Sequence, residues 1–119
     1  YKTYRRRLNM QDYILYQGRA LVRVPLSQIY YVTTHPTKAH AVLFVTAEGN
    51  FEASTSLAKI EEESTEELIR CHRKFLVNKD KIAGFNHETR TIMFMDDRVS
   101  DISCSRRYFT ILKNKWKKM

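Results

Sequence analysis

Residues 68–78 alternate as a buried strand would, with Ile69, Cys71, Phe75 and Val77 on one parity, yet Arg73 falls into that apolar register. A guanidinium buried without a partner is strongly destabilising, so the strand is expected to break at His72 to Lys74 and turn these three side chains outward. Three adjacent cation-capable groups at the tip of a stiff β-element suit an anionic surface. Further along, Ser105-Arg106-Arg107-Tyr108 has the pattern of a helix N-cap with two arginines in the first turn. Two guanidinium groups there add to the positive charge available to an anionic partner.

Other constellations carry less. His35 and His40 share a loop with Pro36, and Cys71 and His72 are adjacent on an extended segment, where neighbouring side chains point apart; neither is a metal-binding set. The acids from Glu61 to Glu67 lack the ligand alternation and glycine of a calcium loop and read as a solvated acidic face. The sequence has no Gly-rich phosphate loop, nucleophile elbow or paired-carboxylate signature, so an enzyme is the poorest-fitting class and no cofactor is expected. Cys71 and Cys104 show neither metal spacing nor the density of a disulfide framework. Each is expected as a small buried hydrophobe, with a disulfide between them left open. Because Cys71 adjoins the segment holding Arg73, its oxidation is expected to disturb binding there.

The 119 residues make one domain with a core of its own. The net charge of +8 is unevenly spread: Lys2, Arg5, Arg6 and Arg7 load the start, and Arg106, Arg107, Lys113, Lys115, Lys117 and Lys118 load the end, with no acid after Asp101. The acids gather between Glu61 and Glu67. This is either the footprint of a polyanion-binding face with an acidic back or a set of basic tails that keep a small domain soluble. No apolar run approaches the roughly 20 residues of a membrane-spanning helix, and the charged opening has no apolar signal core, so a soluble, cytoplasmic chain is expected. It begins at Tyr1 rather than Met and reads as a fragment or processed product.

The elements that must position these residues are mainly β. Residues 13–16 and 20–24 flank Gln17-Gly18-Arg19 as a tight hairpin. Residues 29–34 and 41–46 are apolar on both parities, as strands covered on two faces are, and 47–50 returns the chain into a strand over 51–54. Residues 82–86 and 90–95 form a further hairpin, and 99–104 reads as a last strand. Ser54, Thr55 or Ser56 can cap a short helix over residues 57–63. Ser105 caps a C-terminal helix whose core stripe is Leu112 and Trp116 with Tyr108 or Phe109. Residues 1–11 read as a basic tether.

Taken in order, the strand Ile29-Tyr30-Tyr31-Val32, the hairpin of residues 39–54, Ser56-Leu57, the block Arg70 to Asn78 and Ser105-Arg106-Arg107-Tyr108 resemble the LytTR family. These are DNA-binding effector domains of bacterial response regulators, and the resemblance runs from about Asp12 to Trp116. Thr33 stands where the family often has an acid, and Lys74 where it usually has Ser. The resemblance implies an elongated stack of about ten strands in three small antiparallel sheets, with a short middle helix and a C-terminal helix. It implies recognition by loops at one edge, two entering successive major grooves and a third touching the minor groove between them, often with a bend in the duplex. It implies His40 and Arg107 as major-groove readers and Arg73 as the minor-groove reader. Lys38, Lys74, Ser105 and Arg106 then become backbone contacts, with Arg106 and Arg107 able to exchange roles. Further implications are a receiver domain before residue 12, pairing of two copies on direct repeats, a contact to RNA polymerase, and control of peptide-signalled operons for virulence, competence or bacteriocins. The competing class is a small β-module for RNA or single strands, disfavoured because most Tyr and Phe residues fall in core register.

Overall fold

The computed structural model describes residues 12–64 and 66–118; the basic segment 1–11 lies outside the described residues. The strands are β1 (Asp12–Gln17), β2 (Ala20–Pro25), β3 (Ile29–Thr34), β4 (Val42–Thr46), β5 (Gly49–Ala53), β6 (Leu68–His72), β7 (Phe75–Asn78), β8 (Ile82–Asn86), β9 (Thr91–Phe94) and β10 (Ile102–Ser103). The helices are α1 (Leu57–Glu63) and α2 (Arg106–Lys117). One sheet has the order β2-β1-β5-β4-β3-β7-β6 and the other β10-β9-β8. All the strand pairs are antiparallel.

Two sheets replace the three that the resemblance implies, and one register pair makes the difference. The β1–β2 hairpin, turned by Gly18 with φ 60°, joins the five other strands only where Tyr16 meets Glu52. Elsewhere the hairpin leans over the core, held by the Tyr13 ring 4.9 Å from that of Phe44 and by the Tyr13 hydroxyl 2.7 Å from Ser64 Oγ. The described residues extend 40 × 36 × 26 Å, a flattened body more than a rod.

The double parity of β3 and β4 has a direct cause, because the large sheet carries a core on each face. Val32, Val42, Phe44 and Leu76 pack beneath α1 with Leu57, Ile60 and Leu15. Tyr30, Ile69, Cys71 and Val77 pack against the small sheet and α2 through Ile82, Ile92, Phe94, Phe109 and Leu112. Buried Asn78 pegs the strand ends together: its Nδ2 donates to the carbonyls of Ile29 (2.8 Å) and Leu26 (3.2 Å), so the amide is satisfied.

Both helix starts are capped as a short side-chain oxygen at this position should cap them. Ser56 Oγ accepts from Lys59 N at 3.2 Å and Ser105 Oγ from Tyr108 N at 3.4 Å. The core stripe of α2 is Phe109 and Leu112, with Tyr108 and Trp116 half-buried beside them. The last strand is shorter than residues 99–104. Asp96 captures the chain in a turn, taking N–H donors from Arg98 on Oδ1 (2.9 Å) and from Val99 on its carbonyl (3.0 Å), and pairing resumes only at Ile102. No helix among the described residues is long and apolar enough to cross a membrane.

Candidate nucleic-acid interface

Residues 68–78 break into β6 and β7 around the turn Arg73-Lys74, with a bulge between Arg70 and His72, and so the unpartnered guanidinium leaves the core. This turn lies at the same edge of the large sheet as the β3–β4 loop and the start of α2. Thr34 N donates to Lys74 O at 3.2 Å, and Ser105 N donates to Cys71 O at 2.9 Å. The sheet order β4-β3-β7-β6 therefore sets the lateral order of the edge, with the loop bearing His40 first, the Arg73 turn next and the Arg107 helix start last.

The loop of residues 35–41 is closed at its neck by His35 N donating to Ala41 O at 3.0 Å. Within it, His35 Nδ1 accepts from Thr37 N (3.1 Å) and Lys38 N (3.0 Å), while Nε2 lies 3.3 Å from Glu52 Oε1 on β5. Lys38 Nζ donates to Glu52 Oε2 at 2.8 Å, and this bond holds the Glu52 carboxyl below its ordinary range. His40 is exposed, with φ 58°, a left-handed conformation uncommon outside glycine that swings the chain back into β4.

Arg73 and Lys74 are exposed at their turn. His72 Nδ1 accepts from Lys74 N at 3.1 Å, and its ring centroid lies 5.3 Å from that of Phe75. Beneath them Arg70, whose side chain is only 16% exposed, donates through Nη1 to Arg73 O at 2.9 Å. Its Nε and Nη2 both donate to Glu61 Oε1 on α1, at 3.1 and 3.0 Å. Loop, turn and the beginning of α1 surround an open depression of about 430 Å³, with Lys38, His40, Arg70 and Arg73 in its lining.

At the helix start Arg106 and Arg107 are exposed, and the Arg107 guanidinium lies 6.0 Å from the Tyr108 ring centroid. The Ser105 amide donates to Cys71 O, its hydroxyl accepts from Tyr108 N and its carbonyl accepts from Phe109 N. The amides of Arg106 and Arg107 have no acceptor within the helix, as first-turn amides do not. Arg90, exposed with φ 54°, offers its carbonyl to Cys104 N at 2.8 Å, which sets the β8–β9 turn beside this start.

The family model of the LytTr DNA-binding domain matches residues 19–117. The chain belongs to the LytTR DNA-binding domain family. The chain is also similar in fold to a solved structure from Bacillus cereus, described as the LytTr DNA-binding domain of a methyl-accepting/DNA response regulator. The TM-score is 0.71 at 22% identity, covering 87% of this chain and 94% of that one. Among curated proteins none matches this sequence.

The LytTR domain thus brings Lys38, His40 and Arg73 around one depression, with Arg106 and Arg107 on the adjoining patch. Of the residues expected as backbone contacts, Lys38 donates to Glu52 and the Ser105 hydroxyl accepts the Tyr108 N–H. Lys74 has no ion pair among the described residues. The acidic face needs a correction too, since Glu61 grips Arg70 at the basic edge while Glu62, Glu63 and Glu66 are exposed. The sequence pattern did not mark Arg70, Glu61, Glu52 or His35, which support the edge from below, and His72, expected to turn outward as a cation, instead accepts the Lys74 N–H beneath the turn. Their signal was faint, because a histidine that accepts a backbone N–H has no spacing signature of its own.

Cys71 of the LytTR domain is 0% exposed and Cys104 is buried beside it, both as free thiols. The hydrogen bond with Cys104 and burial together push the Cys71 thiol far up, so the thiolate that oxidants and alkylating agents attack is scarce. Both cysteines are thus the small buried hydrophobes expected of them.

Proposed function

We propose that this LytTR domain binds duplex DNA sequence-specifically and controls transcription as the effector part of a two-component response regulator. The observation that carries the reading is the alignment of His40, Arg73 and Arg107 on three segments whose backbones are hydrogen-bonded to one another or to a shared strand. His40 and Arg107, the outer pair, read base edges in successive major grooves, and Arg73 between them enters the minor groove, whose negative potential favours a guanidinium. Lys74 and Arg106 anchor phosphates, and Lys38 joins them once a phosphate competes with Glu52. Ser105 contributes by fixing the helix start, whose first amides face the backbone with Arg106. Residues 1–11 tether the domain to a receiver domain whose phosphorylation pairs two copies on direct repeats in cytoplasmic DNA. The exposed carboxylates of Glu62 and Glu63 are the surface for an RNA polymerase subunit.

The test is selection of bound duplexes from random DNA. A short motif recovered twice, head to tail, is the expected outcome. Gel shifts with duplex, single-stranded and RNA probes accompany it, and equal or tighter binding of the single strands overturns the reading. Among the described residues Tyr16 is the aromatic that stands well exposed, on the outer face of the β1–β2 hairpin, and one ring alone makes no stacking platform.

A further inference from the structure

The same small device recurs around this molecule: a side chain at the head of a turn accepts the N–H of the residue two further on. Thr46 takes it from Glu48 (3.1 Å), Asn78 from Asp80 (3.1 Å), Asn86 from Glu88 (2.9 Å) and Asp96 from Arg98 (2.9 Å). Hydroxyl, amide and ionised carboxylate oxygens keep this acceptor role throughout the neutral pH range. In the loop that carries Lys38 and His40 and in the turn that carries Arg73 and Lys74, the acceptor is instead an imidazole nitrogen, from His35 and His72.

We infer that His35 and His72 are positioning residues whose neutral, Nδ1-accepting form is required for base readout, so that proton uptake by these caps lowers the specificity of DNA binding. The inference rests on the DNA-binding reading above. Imidazole is the side chain whose charge ordinarily changes between pH 5 and 8, and its protonated form has a donor on both nitrogens. A proton on Nδ1 of His35 opposes the N–H groups of Thr37 and Lys38, and one on Nδ1 of His72 opposes that of Lys74.

The charged surroundings differ between the two. His35 faces Glu52 from β5, a carboxylate that Lys38 from the same loop shares, and Arg70 and Arg73 line the same depression. His72 has Arg73 and Lys74 in its own turn, the Phe75 ring against it, and the Cys71–Ser105 backbone link to the Arg106-Arg107 start of α2 on its other side. Bound phosphates attract either imidazolium. General affinity for DNA therefore rises with acid while discrimination falls, and only the ratio of specific to random binding isolates the caps.

Binding of the selected duplex and of a scrambled duplex is measured from pH 8 to pH 5.5 for the 119-residue chain and for H35N, H72N, H35A and H72A. Asn restores an acceptor oxygen near the Nδ1 position without titrating. The expected result is a specific-to-random ratio that falls in the wild type by roughly three- to tenfold for each cap lost. In H35N and H72N the corresponding step disappears, while the alanine variants are low at every pH. In parallel, the protection of the Lys38 and Lys74 amides in the free protein, taken relative to the intrinsic exchange rate at each pH, should fall as each imidazole takes up its proton, a change that a histidine serving only as a phosphate contact would not produce. A wild-type ratio that discriminates but does not change with pH, or asparagine variants no better than alanine at pH 8, overturns the inference and leaves the DNA reading standing. A wild type that distinguishes no duplex at any pH overturns both.

Discussion

Replacing Arg107 by Ala removes an exposed guanidinium that, among the described residues, lies over its neighbour's ring, so recognition should change with little effect on the fold. If Arg107 forks onto guanine, the variant loses about 1 to 3 kcal/mol on the selected site and relaxes one base position, read by binding to a panel of single-base operator variants. Lys74→Ala should weaken selected and scrambled duplexes alike and reduce the salt slope by about one unit, as a lost phosphate contact does. If Arg106→Ala erases the preference instead, the two arginines exchange roles. Arg70 differs from all of these, since it holds Glu61 and the Arg73 carbonyl while mostly buried. Arg70→Ala should therefore cost about 1 to 3 kcal/mol in chemical denaturation and also lower specificity through Arg73. Unchanged denaturation would mean that the Glu61 link carries nothing. For Cys71, native-state alkylation should be slow and become fast only on unfolding. Rapid labelling of the folded chain would show that β6 opens readily.

Among the elements, the turn after β9 offers a clear electrostatic test. The Arg98 side chain, followed by its backbone N–H, holds the Asp96 carboxyl down to about 2. The stabilising contribution of a depressed carboxyl is present above its unfolded value and is lost as pH falls through the folded one, so this clasp loosens only in strong acid. Arg98→Ala should raise the Asp96 titration only part of the way to an ordinary carboxylate, because the backbone donor remains; NMR titration reads the difference. Arg98 also reaches Glu48 at 3.0 Å from the neighbouring sheet, but these groups are exposed and the pair adds little to stability. Most elements were legible from periodicity and punctuation. Gly18 marked its hairpin, the misplaced Arg73 marked the β6–β7 turn, and Ser105 marked a helix start. The shortened last strand was not legible, because Ile102 and Cys104 have strand-like spacing with apolar Val99 shortly before them, and only the hydrogen bonds of Asp96 reveal the competing turn. The merging of the β1–β2 hairpin into the large sheet was equally hidden, since it rests on one cross-strand pair. At the edge, cationic side chains announced themselves by misplaced charge, whereas the histidines beneath them act through lone pairs that composition does not expose.

For the whole molecule, the proposed pairing on direct repeats predicts that two copies about two helical turns apart, roughly 21 base pairs, should lie on one face of the duplex. Inserting about 5 base pairs between the repeats turns one site to the far side and should weaken paired occupancy in a footprint; equal occupancy would sink that geometry. The edge also has a fixed width. From β4 to β6 there are three strand spacings of about 4.8 Å each, and a packed helix adds about 10 Å, less than the roughly 34 Å of one helical turn. Seating both outer readers should therefore bend the duplex, which circular-permutation gels can measure. The Thr34 to Lys74 hydrogen bond has a further consequence for how such a domain can diverge. Because it couples adjoining strands, the interval between the first two proposed reading heads is a ladder step of the sheet, which side-chain replacement cannot stretch. Lineages that share this scaffold can exchange the letters they recognise one position at a time, while the spacing between those letters is inherited unchanged.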